Sequence, residues 1–114
     1  MRTELEHEKK SLTTIIFRFI IPAMKEKQVE QHFKWAVETL GGRSFKFVSP
    51  GVKGVADRVV CMPNGTTHFV ELKTKGGRLS ALQLIFAADM ERLNQNYAVL
   101  WSKEEIEQWA QKIS

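Results

Sequence analysis

Ala56-Asp57-Arg58-Val59-Val60-Cys61-Met62-Pro63-Asn64-Gly65-Thr66-Thr67-His68-Phe69-Val70-Glu71-Leu72-Lys73 is the stretch on which the fold turns. Val59 to Met62 and His68 to Val70 are apolar, strand-like runs. The Asn64-Gly65 pair between them favours the positive backbone angles of a tight hairpin. The spacing predicts one strand from about Ala56 to Met62 and an antiparallel return from Thr67 to Lys73. An ionised group in such apolar surroundings is disfavoured unless a metal, a partner or a substrate compensates it. Asp57, Glu71 and Lys73 are three such groups, and they call for a chemical explanation.

Side chains alternate along a strand, so Glu71 and Lys73 share one face while Leu72 points the other way. Same-face partners on neighbouring antiparallel strands have Cβ atoms roughly 4.5–5.5 Å apart, which lets Asp57 and Glu71 share one hard cation. Magnesium suits such a pair, with manganese able to substitute, and the Leu72 carbonyl is a candidate further ligand. Lys73 would then stabilise the charge that develops on a phosphorane, or orient the attacking water. This chemistry is metal-dependent hydrolysis of a phosphodiester. It imposes a condition on the turn, because a strict two-residue loop at Asn64-Gly65 pairs Asp57 with Leu72 and puts the acid on the wrong face. A three-residue loop, or a bulge between Asp57 and Met62, is therefore expected. His68 shares a face with Val70 and Leu72, opposite Glu71, and is not expected to be a ligand.

Outward from the hairpin, Val29, Phe33, Ala36, Val37 and Leu40 recur at helical steps from Glu26 to Leu40, and Gly41-Gly42 follow where a helix would end. Phe45 to Val48 reads as a short strand before the Pro50-Gly51 turn and the loop with Lys53 and Gly54. Ser80 is a candidate N-cap for a helix from Ala81 to Asn94, with Leu82, Ile85, Phe86, Met90 and Leu93 as its core stripe. Tyr97 to Trp101 reads as a buried strand. Ser102 and Glu105 have capping-box spacing before a closing helix whose inner face is Ile106, Trp109, Ala110 and Ile113. The fold class is thus α/β, a mixed β-sheet flanked by helices on both faces. Ser80 and Gln83 also have capping-box spacing. Lys53, Arg58, Lys75 and Arg78 flank the proposed site and could hold phosphates on either side of a scissile bond. Phe33, Phe86, Trp101 and Trp109 fall at core spacings, which leaves no aromatic platform for single strands.

A chain of 114 residues fits a single domain, read as residues 25–114 behind an N-terminal extension, 1–24. The apolar run Ile15 to Ile21 is far shorter than the ~20 residues of a membrane helix, and Arg18 interrupts it. It could take part in assembly, or be a loosely held, flexible extension ahead of a natural start at Met24. A formal charge of +4 mildly favours an anionic partner. Cys61 is the only cysteine, so an internal disulfide and a cysteine-based zinc site are both excluded, which suits a cytoplasmic setting. It reads as a small buried hydrophobe.

Gly54-Val55-Ala56-Asp57, Glu71-Leu72-Lys73 and Ser80 with Gln83 together resemble the PD-(D/E)XK nuclease superfamily, and within it the virus-type replication-repair nuclease (VRR-NUC) branch. The resemblance runs from about Lys25 to the C-terminus and departs at Ala56, where the family's signature usually has proline. It implies a restriction-endonuclease-like fold, Asp57 and Glu71 as metal ligands, and Lys73 as the catalytic lysine. Gln83 would be the glutamine of the following helix and Glu30 the acid of the first. It also implies a magnesium-dependent endonuclease acting on DNA, specifically branched DNA such as Holliday junctions, as a homodimer in a bacterial or phage-infected cell. The competing expectations are a catalytically silent nucleic-acid-binding module and a subunit of a replication or repair complex.

Overall fold

Thr67–Leu72, the strand that carries Glu71, lies inside a four-stranded mixed sheet. The computed structural model describes residues 25–114; the extension, with its expected part in assembly, lies outside the described residues. The elements are α1 (Glu26–Thr39), β1 (Arg43–Lys46), β2 (Arg58–Cys61), β3 (Thr67–Leu72), α2 (Ala81–Arg92), β4 (Asn96–Leu100) and α3 (Lys103–Ile113). The sheet order is β1-β2-β3-β4, with antiparallel pairing throughout except for the parallel β3–β4 ladder. The parallel pair follows from the α2 crossover, because only a long connection can return the chain in the same direction.

The loop between β2 and β3 has three residues. Cys61 pairs with Thr67, and the Met62 amide reaches the Thr66 carbonyl at 2.9 Å. Pro63, Asn64 and Gly65 fill the turn, where the Gly65 amide returns to the Met62 carbonyl at 2.9 Å and Gly65 takes φ +89°. That left-handed angle costs glycine little. Extending the register carries Asp57 to the position opposite Glu71, as the chemistry of the two carboxylates required.

The two sheet faces are covered unequally. Val60, Val70, Leu72 and Leu100 meet Val29, Phe33 and Val37 of α1 and Ile106 and Trp109 of α3 in the main core. On the opposite face, Phe86 of α2 sits edge-on to Phe47, Phe69 and Tyr97, with centroids 6.0–6.4 Å apart. No α2 residue is fully buried.

Four expectations shift here. β1 begins at Arg43, two residues before the predicted strand, because Ser44 turns inward opposite Val60 while Val48 is exposed. β4 runs from Asn96 and only Leu100 is fully buried, since α2 covers its other face thinly. Cys61 is exposed at the turn end of β2, where alternation turns it away from the core face that Val60 occupies. The core stripe of α2 is rotated: Gln83, Phe86, Ala87 and Met90 face inward at partial burial, while Leu82 and Ile85 are 47% and 58% exposed.

Candidate active site

Asp57 immediately precedes β2 and Glu71 lies near the end of β3. Asp57 Oδ2 accepts the Leu72 amide at 2.9 Å, so the side chain continues the ladder where the strand's own pairing stops. Gly54 sets its approach: φ is +86°, and a Cβ there would lie 2.5 Å from the Leu82 backbone. Only glycine lets this loop close on the first turn of α2.

Glu71 is 1% exposed, an unusual place for a carboxylate. Its Oε1 accepts from Gln83 Nε2 at 2.9 Å and lies 3.5 Å from Lys73 Nζ, whereas Oε2 is buried with no hydrogen-bond partner. Burial pushes its pKa up to about 7; the Asp57 charge adds to the rise and Lys73 opposes it. Tyr97, beside Phe69 on β4, is pushed up to about 12, chiefly by burial and then by the Glu71 and Asp57 charges.

Gln83 is both cap and site residue. Its Oε1 accepts the Ser80 amide at 2.8 Å and its Nε2 reaches Glu71, while the Gln83 amide donates to Ser80 Oγ at 3.2 Å. One planar amide thus ties the start of α2 to the buried carboxylate. This also explains the rotated stripe, because directing Gln83 at Glu71 turns Leu82 and Ile85 outward.

Asp57, Glu71, Leu72, Lys73 and Gln83 line one cleft of about 400 Å³ together with Glu26, Thr74, Gly77 and Arg78. Glu30 and Arg58, both expected at the site, do not line it. Their side chains approach each other at 3.9 Å, because alternation after Asp57 turns Arg58 toward α1. Lys53 and Lys75 are exposed on the loops that flank the cleft without lining it. Sequence reasoning passed over Glu26, one helical turn before Glu30, since an acid in a first turn already has a role toward the helix dipole. No group of three or more His, Cys, Asp or Glu residues with metal-site geometry occurs among the described residues. The candidate ligands remain the Asp57 and Glu71 carboxylates with the Leu72 carbonyl.

An acid before one strand, Glu-x-Lys on its neighbour and a glutamine from the next helix, grouped in one cleft of a mixed sheet, define a PD-(D/E)XK-type nuclease. The chain is 40% identical over 81 residues to "Putative nuclease p44" of Acyrthosiphon pisum secondary endosymbiont phage 1, covering 71% of this chain and 87% of that relative. A solved VRR_NUC domain superposes with a TM-score of 0.73 at 26% identity, covering 78% of this chain and 97% of that domain. No family model matches the sequence. The chain belongs to the VRR-NUC family of nucleases.

Proposed function

We propose that this nuclease is a magnesium-dependent endonuclease that hydrolyses phosphodiester bonds in branched DNA and acts as a homodimer in the cytoplasm of a bacterial or phage-infected cell. The observation that carries the metal dependence is the Glu71 carboxylate: buried, facing Asp57, with Oε2 lacking any partner. Such an oxygen, once ionised, costs free energy unless a cation takes it up, and the residues present fit a hard divalent ion. Asp57, Glu71 and the Leu72 carbonyl would hold it. When bound, magnesium or manganese lowers the pKa of a water and draws charge from the scissile phosphate.

The remaining roles belong to the chain itself. Gln83 holds Glu71 Oε1 and leaves Oε2 without a hydrogen bond. Lys73 places an ammonium 3.5 Å from the same carboxylate, where it can stabilise negative charge on the pentavalent phosphorus. Arg78, at the cleft wall, supplies a guanidinium suited to bidentate phosphate contact. The homodimer is supported by Leu82, Leu84 and Ile85, exposed apolar residues on α2, and by the two-fold symmetry of a four-way junction. Among the described residues no helix is long and apolar enough to cross a membrane.

The test is cleavage of a labelled four-way junction in magnesium, beside linear duplex, single strand and a Glu71→Ala control. Junction cleavage that the control lacks is the expected result. Equal cutting of linear and branched DNA removes the structural specificity, and tight binding without cutting in magnesium or manganese removes the enzymatic reading. A concentration-independent monomer mass at full activity removes the dimer.

A further inference from the structure

Trp101 sits just beyond β4, outside the group of side chains that meet at the carboxylates, yet its indole Nε1–H donates to the Gly77 carbonyl at 2.8 Å. Gly77 closes a tight turn whose own bond runs from the Gly77 amide to the Thr74 carbonyl at 2.9 Å, with Gly76 at φ +83°. This turn leads out of Lys73, and Thr74, Gly77 and Arg78 all line the cleft. Trp101 is itself held: its amide donates to Glu105 Oε2 at 2.6 Å, and Lys73 pairs with the preceding Leu100 carbonyl at 2.9 Å.

The Gly77 carbonyl belongs to the planar peptide unit that joins Gly77 to Arg78. Fixing that oxygen fixes the direction in which Arg78 leaves the turn. The sequence offered a simpler role, a buried aromatic ending a strand, but Trp101 is 36% exposed, so apolar burial alone does not account for it. The geometry points to Trp101 as a positioning residue that, through the Gly77 carbonyl, sets Arg78 at the cleft wall for phosphate contact. This rests on the nuclease reading for its substrate and on the hydrogen bond for its mechanism.

Trp101→Phe keeps an aromatic ring and removes the donor. A tryptophan isostere at position 101 with sulfur in place of the ring nitrogen does the same with less change of shape. In both, KM for the junction should rise roughly 3- to 10-fold, the size expected for one lost hydrogen bond, with kcat within about two-fold of wild type. Amides from Thr74 to Arg78 should exchange faster while those of β3 keep their protection. Placed in an Arg78→Ala background, Trp101→Phe should add no further rise in KM. Additive KM effects in that cycle would overturn the proposal, as would unchanged exchange across Thr74–Arg78. Failure of the wild-type chain to cut any DNA would overturn the nuclease reading, and the exchange comparison would still decide whether the indole anchors the turn.

Discussion

The Leu72 amide donates to Asp57 Oδ2 at 2.9 Å, so a side-chain oxygen substitutes for a strand carbonyl at the point where the β2–β3 ladder ends. The same carboxylate is one cause of the raised pKa of Glu71. Asp57 therefore has a structural and an electrostatic role that substitution can separate. Asp57→Asn keeps an acceptor for Leu72 and removes the charge. It should leave thermal stability near wild type and cut junction cleavage by more than about 100-fold, consistent with loss of a charged group from a preorganised site. Asp57→Ala should lose about 1 kcal/mol of stability in addition. Equal melting temperatures for the two variants would show that the hydrogen bond contributes nothing.

Glu71 makes the stability of the metal-free protein pH-dependent. Its folded pKa lies near 7, above the ordinary 4.5, so between these values the folded state holds a proton that the unfolded chain has released. Stability should fall as pH rises across that window, by on the order of a few kcal/mol, and level off above it. Glu71→Gln should flatten the dependence and raise the melting temperature at pH 8, while abolishing cleavage. Magnesium should stabilise the wild type more at pH 8 than at pH 5.5, because the ion competes with the proton for the carboxylate. Thermal melts over pH 4–9 with and without magnesium give the readout; a slope unchanged in Glu71→Gln would assign it to other groups.

Ser80 and Gln83 cap one helix, but only Gln83 reaches Glu71. Ser80→Ala should cost about 1 kcal/mol with cleavage reduced only modestly. Gln83→Ala should cost a similar amount and lower kcat at least about ten-fold, since Glu71 Oε1 loses its donor. Matching activity losses in the two variants would mean that the cap alone accounts for Gln83.

Deleting Cys61 keeps the three-residue turn, with Met62 opposite Thr66, but shifts every earlier β2 residue by one place against β3. Val60 would leave the core face and Asp57 would oppose Val70. The deletion should abolish cleavage and lower stability by several kcal/mol, the cost of removing core side chains from their sites. Full activity in the Cys61 deletion would refute the register argument.

The α/β class, the element order and the pairing of Asp57 with Glu71 were legible because strand alternation and turn length are short-range rules acting on a contiguous stretch. The closing helix was legible too, with Ile106, Trp109 and Ala110 buried. What misled was periodicity on α2. Leu82 and Ile85 read as core by hydrophobicity, but Gln83 takes the inward position because it hydrogen-bonds to a carboxylate from another strand, a requirement no local pattern contains. Glu30 and Arg58 lie outside the cleft, because alternation after Asp57 turns Arg58 to the α1 side of the sheet, where it meets Glu30 at 3.9 Å. Trp101 reads in the sequence as a core aromatic ending a buried strand, but it is 36% exposed beyond β4, and its donor role is visible only with the Gly77 carbonyl placed beside it.

Because Gln83 and the exposed pair Leu82 and Ile85 lie on one rigid cylinder, the azimuth of α2 is a shared coordinate. A molecule that grips the outer leucine and isoleucine holds the inner amide at a fixed angle to Glu71. Any contact on the outside of this helix and the angle of its inner amide toward the carboxylate are, mechanically, the same rotation.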